Sequence, residues 1–214
     1  MDLAALITAF TTMFVIIDPI GLAPVFLALT QGMTPTHRRR LATRACLTGA
    51  ALLTLFALAG EAILNFVGIT MPAFRIAGGV LLFLTALDML FERRQSRRED
   101  RADEAEATHD DPSVFPLAIP LIAGPGAIAS IILLSGSTTG WIGLVEVLLV
   151  MLSVIGIVFL MFLAAAPLER LMGRTGIIVV TRLLGMLLAA LAIQFILDGL
   201  TGFGAGLTII RGGR

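Results

Sequence analysis

The sequence predicts an all-α integral membrane protein: six transmembrane helices, arranged as two inverted three-helix repeats, with helices 1 and 4 broken at mid-membrane. Three observations lead there. Of 214 residues, 57% are hydrophobic and 14% charged, at a mean hydropathy of +0.99, whereas a soluble domain carries about 25% charge. Apolar stretches recur that are long enough to cross a hydrocarbon core of about 30 Å. The special residues of the first half also recur in the second half at a nearly constant offset. No period-2 alternation appears, so a β-barrel is not expected.

The first apolar segment is Leu3–Thr30. Its start, "MDLAALITAF", lacks the basic region of a cleaved signal, so it is expected to remain in the mature protein. Two prolines, a glycine and an acid interrupt it in "FVIIDPIGLAPVF", Phe14 to Phe26. The second segment, Leu41–Phe66, holds Cys46, a lone cysteine that cannot form an internal disulfide. The third is Met71–Phe91. A polar stretch then runs from Glu92 to Asp111 with eight acids and five arginines, a composition that reads as a flexible linker. The fourth segment, Val114–Leu134, is interrupted in turn by "AGPGAIAS". The fifth and sixth are Trp141–Ala166 and Ile177–Leu200. The expected organisation is a first repeat over 1–91, a cytoplasmic charged linker over 92–113, a second, inverted repeat over 114–200 and a short tail over 201–214.

Orientation follows from the arginines, which supply all fifteen basic residues. Arg38, Arg39, Arg40 and Arg44 fall between segments 1 and 2. Arg93, Arg94, Arg97, Arg98 and Arg101 fall between segments 3 and 4, and Arg170 and Arg174 between segments 5 and 6. The loops "NFVGIT" and "SGSTTG" have none, and the tail has Arg211 and Arg214. Short basic loops stay in the cytoplasm, so both termini are expected outside, in the periplasm.

The repeat shows as Asp18-Pro19 falling on Gly124-Pro125, an offset of 106, and "RIAGGVLLFLTAL" from Arg75 falling on "RLLGMLLAALAIQ" from Arg182, an offset of 107. Gly78 and Gly185 follow these arginines at the same spacing. A unit of three spans enters the bilayer upside down on its second occurrence, as in many secondary transporters. Proline removes a backbone donor and glycine tolerates unusual dihedrals, so both motifs should break their helices. Broken backbone in lipid must be satisfied by protein or by a watery cavity, which turns both breaks inward. Each second half-helix would then offer amide donors with partial positive charge, and each first half-helix free carbonyls. A zwitterion such as a small amino acid suits that pairing, its carboxylate on the N–H ends and its ammonium on carbonyls or Asp18. The bland reading of a Pro-Gly kink is structural packing.

The candidate substrate-binding residues are therefore Asp18, Pro19, Gly21, Gly124, Pro125 and Gly126, with Thr12 and Ser130 supplying hydroxyls; Thr11 lies close by. Asp18 is also the candidate for a coupling proton, since intramembrane acids are costly and functional, or it caps the second half-helix. Asp88, Asp198, Glu61 and Glu146 are expected at interfaces, and Arg75 and Arg182 in structural pairs or headgroup contacts. Gln194 either lines the cavity or bonds between helices. His37 and His109 have no ligand-spaced companions, so no metal or cofactor is expected. There is no P-loop, HExxH or GxSxG, so neither an enzyme nor an ATP-driven pump is expected, and zero formal net charge gives no sign of nucleic acid.

The stretches "DPIGLAPVFLALT", "RIAGGVLLFLTALDML", "AGPGAIAS" and "RLLGMLLAALAIQFILDGL" together resemble the MarC family of bacterial inner-membrane proteins, which includes SnatA-type small neutral amino acid transporters. The resemblance covers nearly the whole chain outside the linker and tail. It implies six spans and, for SnatA-like members, proton-linked movement of glycine or alanine, and it carries over to Asp18, Pro19, Gly21, Gly124, Pro125 and Gly126. Leu22 stands where members often have Asn. The expected function is a secondary transporter of small neutral amino acids working by alternating access. The alternatives are a non-transporting membrane partner or regulator that uses the linker as its contact surface, or an exporter of another small solute linked to drug resistance. The expected partners are the small solute and the lipid bilayer, with homo-oligomerisation left open.

Overall fold

The computed structural model describes residues 2–93, 112–138 and 140–212, and among them the secondary structure is helical throughout. The elements are α1 (Leu3–Ile17), α2 (Pro19–Leu29), α3 (Pro35–Val67), α4 (Met71–Leu90), α5 (Ser113–Ile122), α6 (Pro125–Gly136), α7 (Gly140–Leu163) and α8 (Ala165–Gly212). Five stretches are long and apolar enough to cross a membrane: α1 with α2, then α3, α4, α7 and residues 175–204 of α8. The pair α5 and α6, bent by 55°, makes a sixth if taken together.

Local chemistry sets the ends. Asp2 caps α1, accepting the Ala5 N–H at 2.8 Å. Thr34 and Thr70 cap α3 and α4, each with proline in the first turn, where its missing donor costs nothing. Gly68 ends α3 in the left-handed region at φ 82°, and the Ile69 N–H returns to the Leu64 carbonyl at 2.8 Å, the closing bond of a Schellman turn. This reverses the chain within three residues.

Several expected boundaries move. Arg38, Arg39, Arg40 and Arg44 are wound into the first turns of α3 and not held in a linker, because Thr34 and Pro35 start the helix early. Arg170 lies in helix too, since α8 begins at Ala165 and is interrupted at Gly173 (φ 63°, ψ 172°). The expected tail over 201–214 is helical as far as Gly212. Residues 94–111 of the linker, with Arg94, Arg97, Arg98, Arg101, His109, Asp110 and Asp111, lie outside the described residues, as does Arg214.

Burial sorts the spans into two kinds. The α1–α2 stretch is 67% buried, against 22–28% for α3, α4, α7 and α8. In α6, Gly126, Ala127 and every residue from Ala129 to Leu134 are buried. The α1–α2 stretch and α6 therefore form the interior, whereas Val114, Phe115 and Ile119 of α5 are exposed. The continuous helices surround them and turn Leu55, Phe66, Leu149, Leu160, Leu183 and Leu187 outward. For a chain in lipid, those exposed side chains are the solvated face.

Helix contacts are made close by small residues, as expected where lipid removes the hydrophobic drive. α4 and α8 make the longest contact and run antiparallel. A Cβ built on Gly79 would lie 2.8 Å from the Ala192 carbonyl oxygen, and one on Gly199 would lie 2.9 Å from the Pro72 carbonyl oxygen. Arg182 on α8 pairs with Glu92 just beyond α4. Gly49 admits Ile122 against α3, and Gly60 admits Ile132, so α3 runs parallel to α5 and α6. Phe26 of α2 stacks on Phe162 of α7 at 4.3 Å. Arg38 reaches back to the Thr30 carbonyl at 3.1 Å, placing a cation at the C-terminal end of α2.

Gly79→Ala and Gly199→Ala each press a methyl onto a backbone carbonyl that cannot yield. Each is expected to destabilise the protein by about 1–3 kcal/mol. Gly156→Ala on α7, where the new methyl meets nothing within 4 Å, is expected to be neutral or stabilising by up to about 1 kcal/mol. Thermal unfolding of the detergent-purified variants measures the difference.

Candidate functional site

The first interruption is built around Asp18. Pro19 disfavours right-handed helical dihedrals in the residue before it, and Asp18 takes the left-handed conformation, φ 58° and ψ 65°. Its N–H closes α1 on the Phe14 carbonyl at 2.9 Å, and its own carbonyl accepts the Leu22 N–H at 3.1 Å. Its Oδ1 accepts the Gly21 N–H, also at 3.1 Å. One residue thus ends α1, starts α2 and caps it, all at 0% exposure. Pro19 and Gly21 are buried beside it. Pro24, one turn into α2, removes the donor that the Ile20 carbonyl would otherwise receive. Leu22 is fully buried, so hydrocarbon fills the position next to the cap.

The second interruption is built differently. Phe115 and Ile119 are extended, at φ −122° and −125°, as residues before proline prefer to be. Pro116 and Pro120 supply no N–H. The remaining bonds widen to five-residue spacing: Leu117 N–H to the Pro112 carbonyl at 3.3 Å, and Ala123 N–H to the Ala118 carbonyl at 2.8 Å. The expected break at Gly124-Pro125-Gly126 is thus preceded by a further irregular stretch that the sequence reading passed over. Prolines at 112, 116 and 120, four residues apart, were the available signal. A Cβ on Gly124 would lie 2.4 Å from the Pro120 carbonyl oxygen, so the chain can turn into α6 only with glycine there. Gly124 is partly exposed, Pro125 exposed and Gly126 buried, which makes this break less enclosed than the one at Asp18.

The two interruptions come together. A Cβ placed on Gly126 would lie 3.4 Å from Cγ2 of Ile16, the residue two before Asp18. It would lie 3.5 Å from Leu82 Cδ2 and 3.8 Å from Thr85 Oγ1, both on α4. These three neighbours were not marked in the sequence, where they are ordinary members of apolar runs. Thr12 and Ser130 are fully buried, and neither hydroxyl has a hydrogen-bond partner.

Other polar residues fall outside this centre. Gln194 is exposed and donates to Asp198 on its own helix at 2.7 Å, so it bonds along α8 and not to another helix. Arg182 has the structural ion pair expected of it. Glu61 and His37 are exposed. Asp88 and Glu146 are half-buried and each has a partner. Among the described residues, no three of His, Cys, Asp and Glu gather as a metal-ligand set.

Compared with known proteins, the chain matches the family described as "MarC family integral membrane protein" over residues 3–203. It is 38% identical to a UPF0056 membrane protein of Methanocaldococcus jannaschii, covering 94% of this chain and 98% of that one. It is 34% identical to YvbG of Bacillus subtilis (94% and 97% covered) and 34% identical to YhcE of Escherichia coli (92% and 93% covered). These relatives carry the description "UPF0056 membrane protein". No solved structure matches.

The dihedrals and the cap at residue 18 rank its replacements. Asn keeps both the left-handed preference and a side-chain acceptor, so Asp18→Asn is expected to retain the fold. Asp18→Gly loses the acceptor but tolerates the dihedrals. Asp18→Ala loses both and is expected to be the least stable, by about 1–3 kcal/mol. Thermal unfolding of the three purified variants reads the order.

Proposed function

The chain belongs to the MarC family of integral membrane proteins, and from that premise we propose that it is a secondary transporter. It moves small neutral amino acids of glycine or alanine size across the bacterial inner membrane, by alternating access between two inverted halves. The observation that carries this reading is the meeting of the two interruptions, Ile16 against Gly126, in the most buried part of the fold. Interrupted helices at the midplane of paired repeats are where such transporters hold substrate and coupling ion.

The inverted-repeat reading draws support from how the helices pack. α3 packs on α7, and α4 on α8. The contact of α2 with α8 is matched by that of α6 with α4, that of α2 with α7 by α6 with α3, and that of α1 with α7 by α5 with α3. A twofold exchange of the halves predicts these pairs. α5 departs from it: α1 also packs on α6 and α8, whereas α5 packs chiefly on α3, in keeping with its irregular backbone. The long contact between α4 and α8 fits spans of opposite direction.

The cargo reading rests on size and charge. Ile16, Leu82 and Thr85 crowd Gly126 at van der Waals distance, which leaves little room for a long side chain. Helix starts and helix ends meeting at one place suit a molecule that carries both a carboxylate and an ammonium group. Asp18, buried at the junction, is the group proposed to couple transport to protons. The arginines clustered near one set of span ends in the sequence support a periplasmic position for both termini.

Purified protein in proteoliposomes is expected to accumulate labelled glycine or alanine down an imposed proton gradient. Uptake equal to that of empty vesicles under every gradient removes the proposal. Asp18→Asn is expected to keep the fold and lose the response to the proton gradient; uptake with unchanged pH dependence excludes Asp18 as the coupling group. A reporter active only in the periplasm, fused to the C-terminus, is expected to be active, and inactivity reverses the orientation.

A further inference from the structure

The two interruptions look equivalent in the sequence but differ in their free hydrogen-bonding groups. In the first turn of α2, Asp18 Oδ1 already takes the Gly21 N–H and Pro19 has no N–H, so only the Ile20 amide is left over. α6 also begins with proline, but Gly124 brings no side chain and no side chain caps the helix. The α6 ladder starts with the Ile128 N–H on the Gly124 carbonyl at 2.9 Å. The Gly126 and Ala127 amides therefore precede any intrahelical acceptor, and both residues are buried.

The second observation concerns two of the three buried hydroxyls without a partner among the described residues, those of Thr12 and Ser130; the third, Thr181, lies on α8. A Ser or Thr within a helix commonly bonds back to a carbonyl one turn earlier, as Thr8, Thr30, Thr43 and Thr85 do here. Thr12 and Ser130, both at 0% exposure, do not. Ser130 stands one turn beyond Gly126 on the same face of α6. The Cα–Cβ bond of a helical residue tilts towards the N-terminus, so Ser130 Cβ lies over the turn that holds the free amides. Thr12 stands one turn before Ile16, the residue that touches Gly126. α6 is antiparallel to α4, since Gly78 meets Ala129 and Leu133 while Gly126 meets Leu82 and Thr85. Two short reversals, at residues 30–34 and 68–70, return α4 to the direction of α1. α1 and α6 are thus antiparallel, which brings the backbones of Thr12 and Ser130 to a similar level, one turn from the Ile16–Gly126 approach.

We propose that the Gly126 and Ala127 amides, with the Ser130 and Thr12 hydroxyls, form the carboxylate half of the substrate site. The ligand then binds in one orientation, its carboxylate on α6 and its amino group towards Asp18 and the carbonyl end of α1. This deepens the transporter reading and rests on it. The start of a helix together with hydroxyl donors suits a single carboxylate. The start of α2 offers an anion less, because Asp18 already takes the Gly21 N–H and leaves one amide, where α6 leaves two.

The test is thermal unfolding of the purified protein with glycine, glycinamide or acetate, since binding to the folded state raises its unfolding temperature. Glycine is expected to stabilise the wild type and glycinamide, which has no carboxylate, is not. Ser130→Ala and Thr12→Val are each expected to weaken glycine binding about tenfold. Their ligand-free stability should stay level or rise, because the hydroxyl removed had no partner. Wild-type glycine affinity in both variants, or equal stabilisation by glycinamide, overturns the carboxylate site and leaves the transporter reading standing. A clear loss of ligand-free stability in both variants also overturns it, by giving the hydroxyls a structural role. Stabilisation by acetate but not glycine supports the carboxylate site and sinks the amino-acid reading. No response to any of the three probes overturns both.

Discussion

In hydrocarbon, a peptide group that loses its helical partner has no water to turn to, and each such group costs several kcal/mol. This chain places Pro19, Pro24, Pro116, Pro120 and Pro125, together with Gly21, Gly124 and Gly126, within apolar stretches. The penalty is avoided only if the interrupted backbone is enclosed by the rest of the protein. The architecture follows from that. α1, α2 and α6 occupy the interior, and the uninterrupted helices, whose own backbone bonds are complete, form the surface that meets lipid.

Enclosure demands close approach, and glycine supplies it. Gly49 and Gly60 let α3 lie against α5 and α6, and Gly78 lets α4 lie against α6. Gly79, Gly185 and Gly199 bring α4 and α8 together. The same property acts at the breaks for a different reason. Gly124 is required because the Pro120 carbonyl occupies the place of a Cβ, whereas at Gly126 a Cβ would meet α1 and α4 at ordinary contact distance. Close packing between helices and the turn into α6 thus rest on one kind of residue.

The two interruptions solve the same problem unequally. Asp18 ends one helix, starts the next and supplies its own cap. At Gly124 no side chain is present to do so, and the preceding stretch is held by wide backbone bonds between prolines. The result is one helix start with a single amide left over, at Ile20, and one with two, at Gly126 and Ala127.

The sequence by itself determined that the chain is a helical membrane protein and, to within several residues, where its apolar spans lie. These are local properties: hydropathy over a span, the missing proline donor and the conformational freedom of glycine act through neighbouring residues. The resemblance carried by "DPIGLAPVFLALT" and "AGPGAIAS" extended the reading to a family. It did not reveal that Arg38 to Arg44 begin α3, since the helix start depends on the Thr34 cap, nor that Phe115 to Pro120 is irregular. Only the tertiary structure decided that Ile16, Leu82 and Thr85 surround Gly126, that Thr12 and Ser130 are buried without partners, and that Gln194 bonds along its own helix. Such facts depend on which helix faces contact each other. That is set by the fit of small residues across long separations in sequence, and the hydrophobic pattern of spans that are apolar on nearly every face does not encode it.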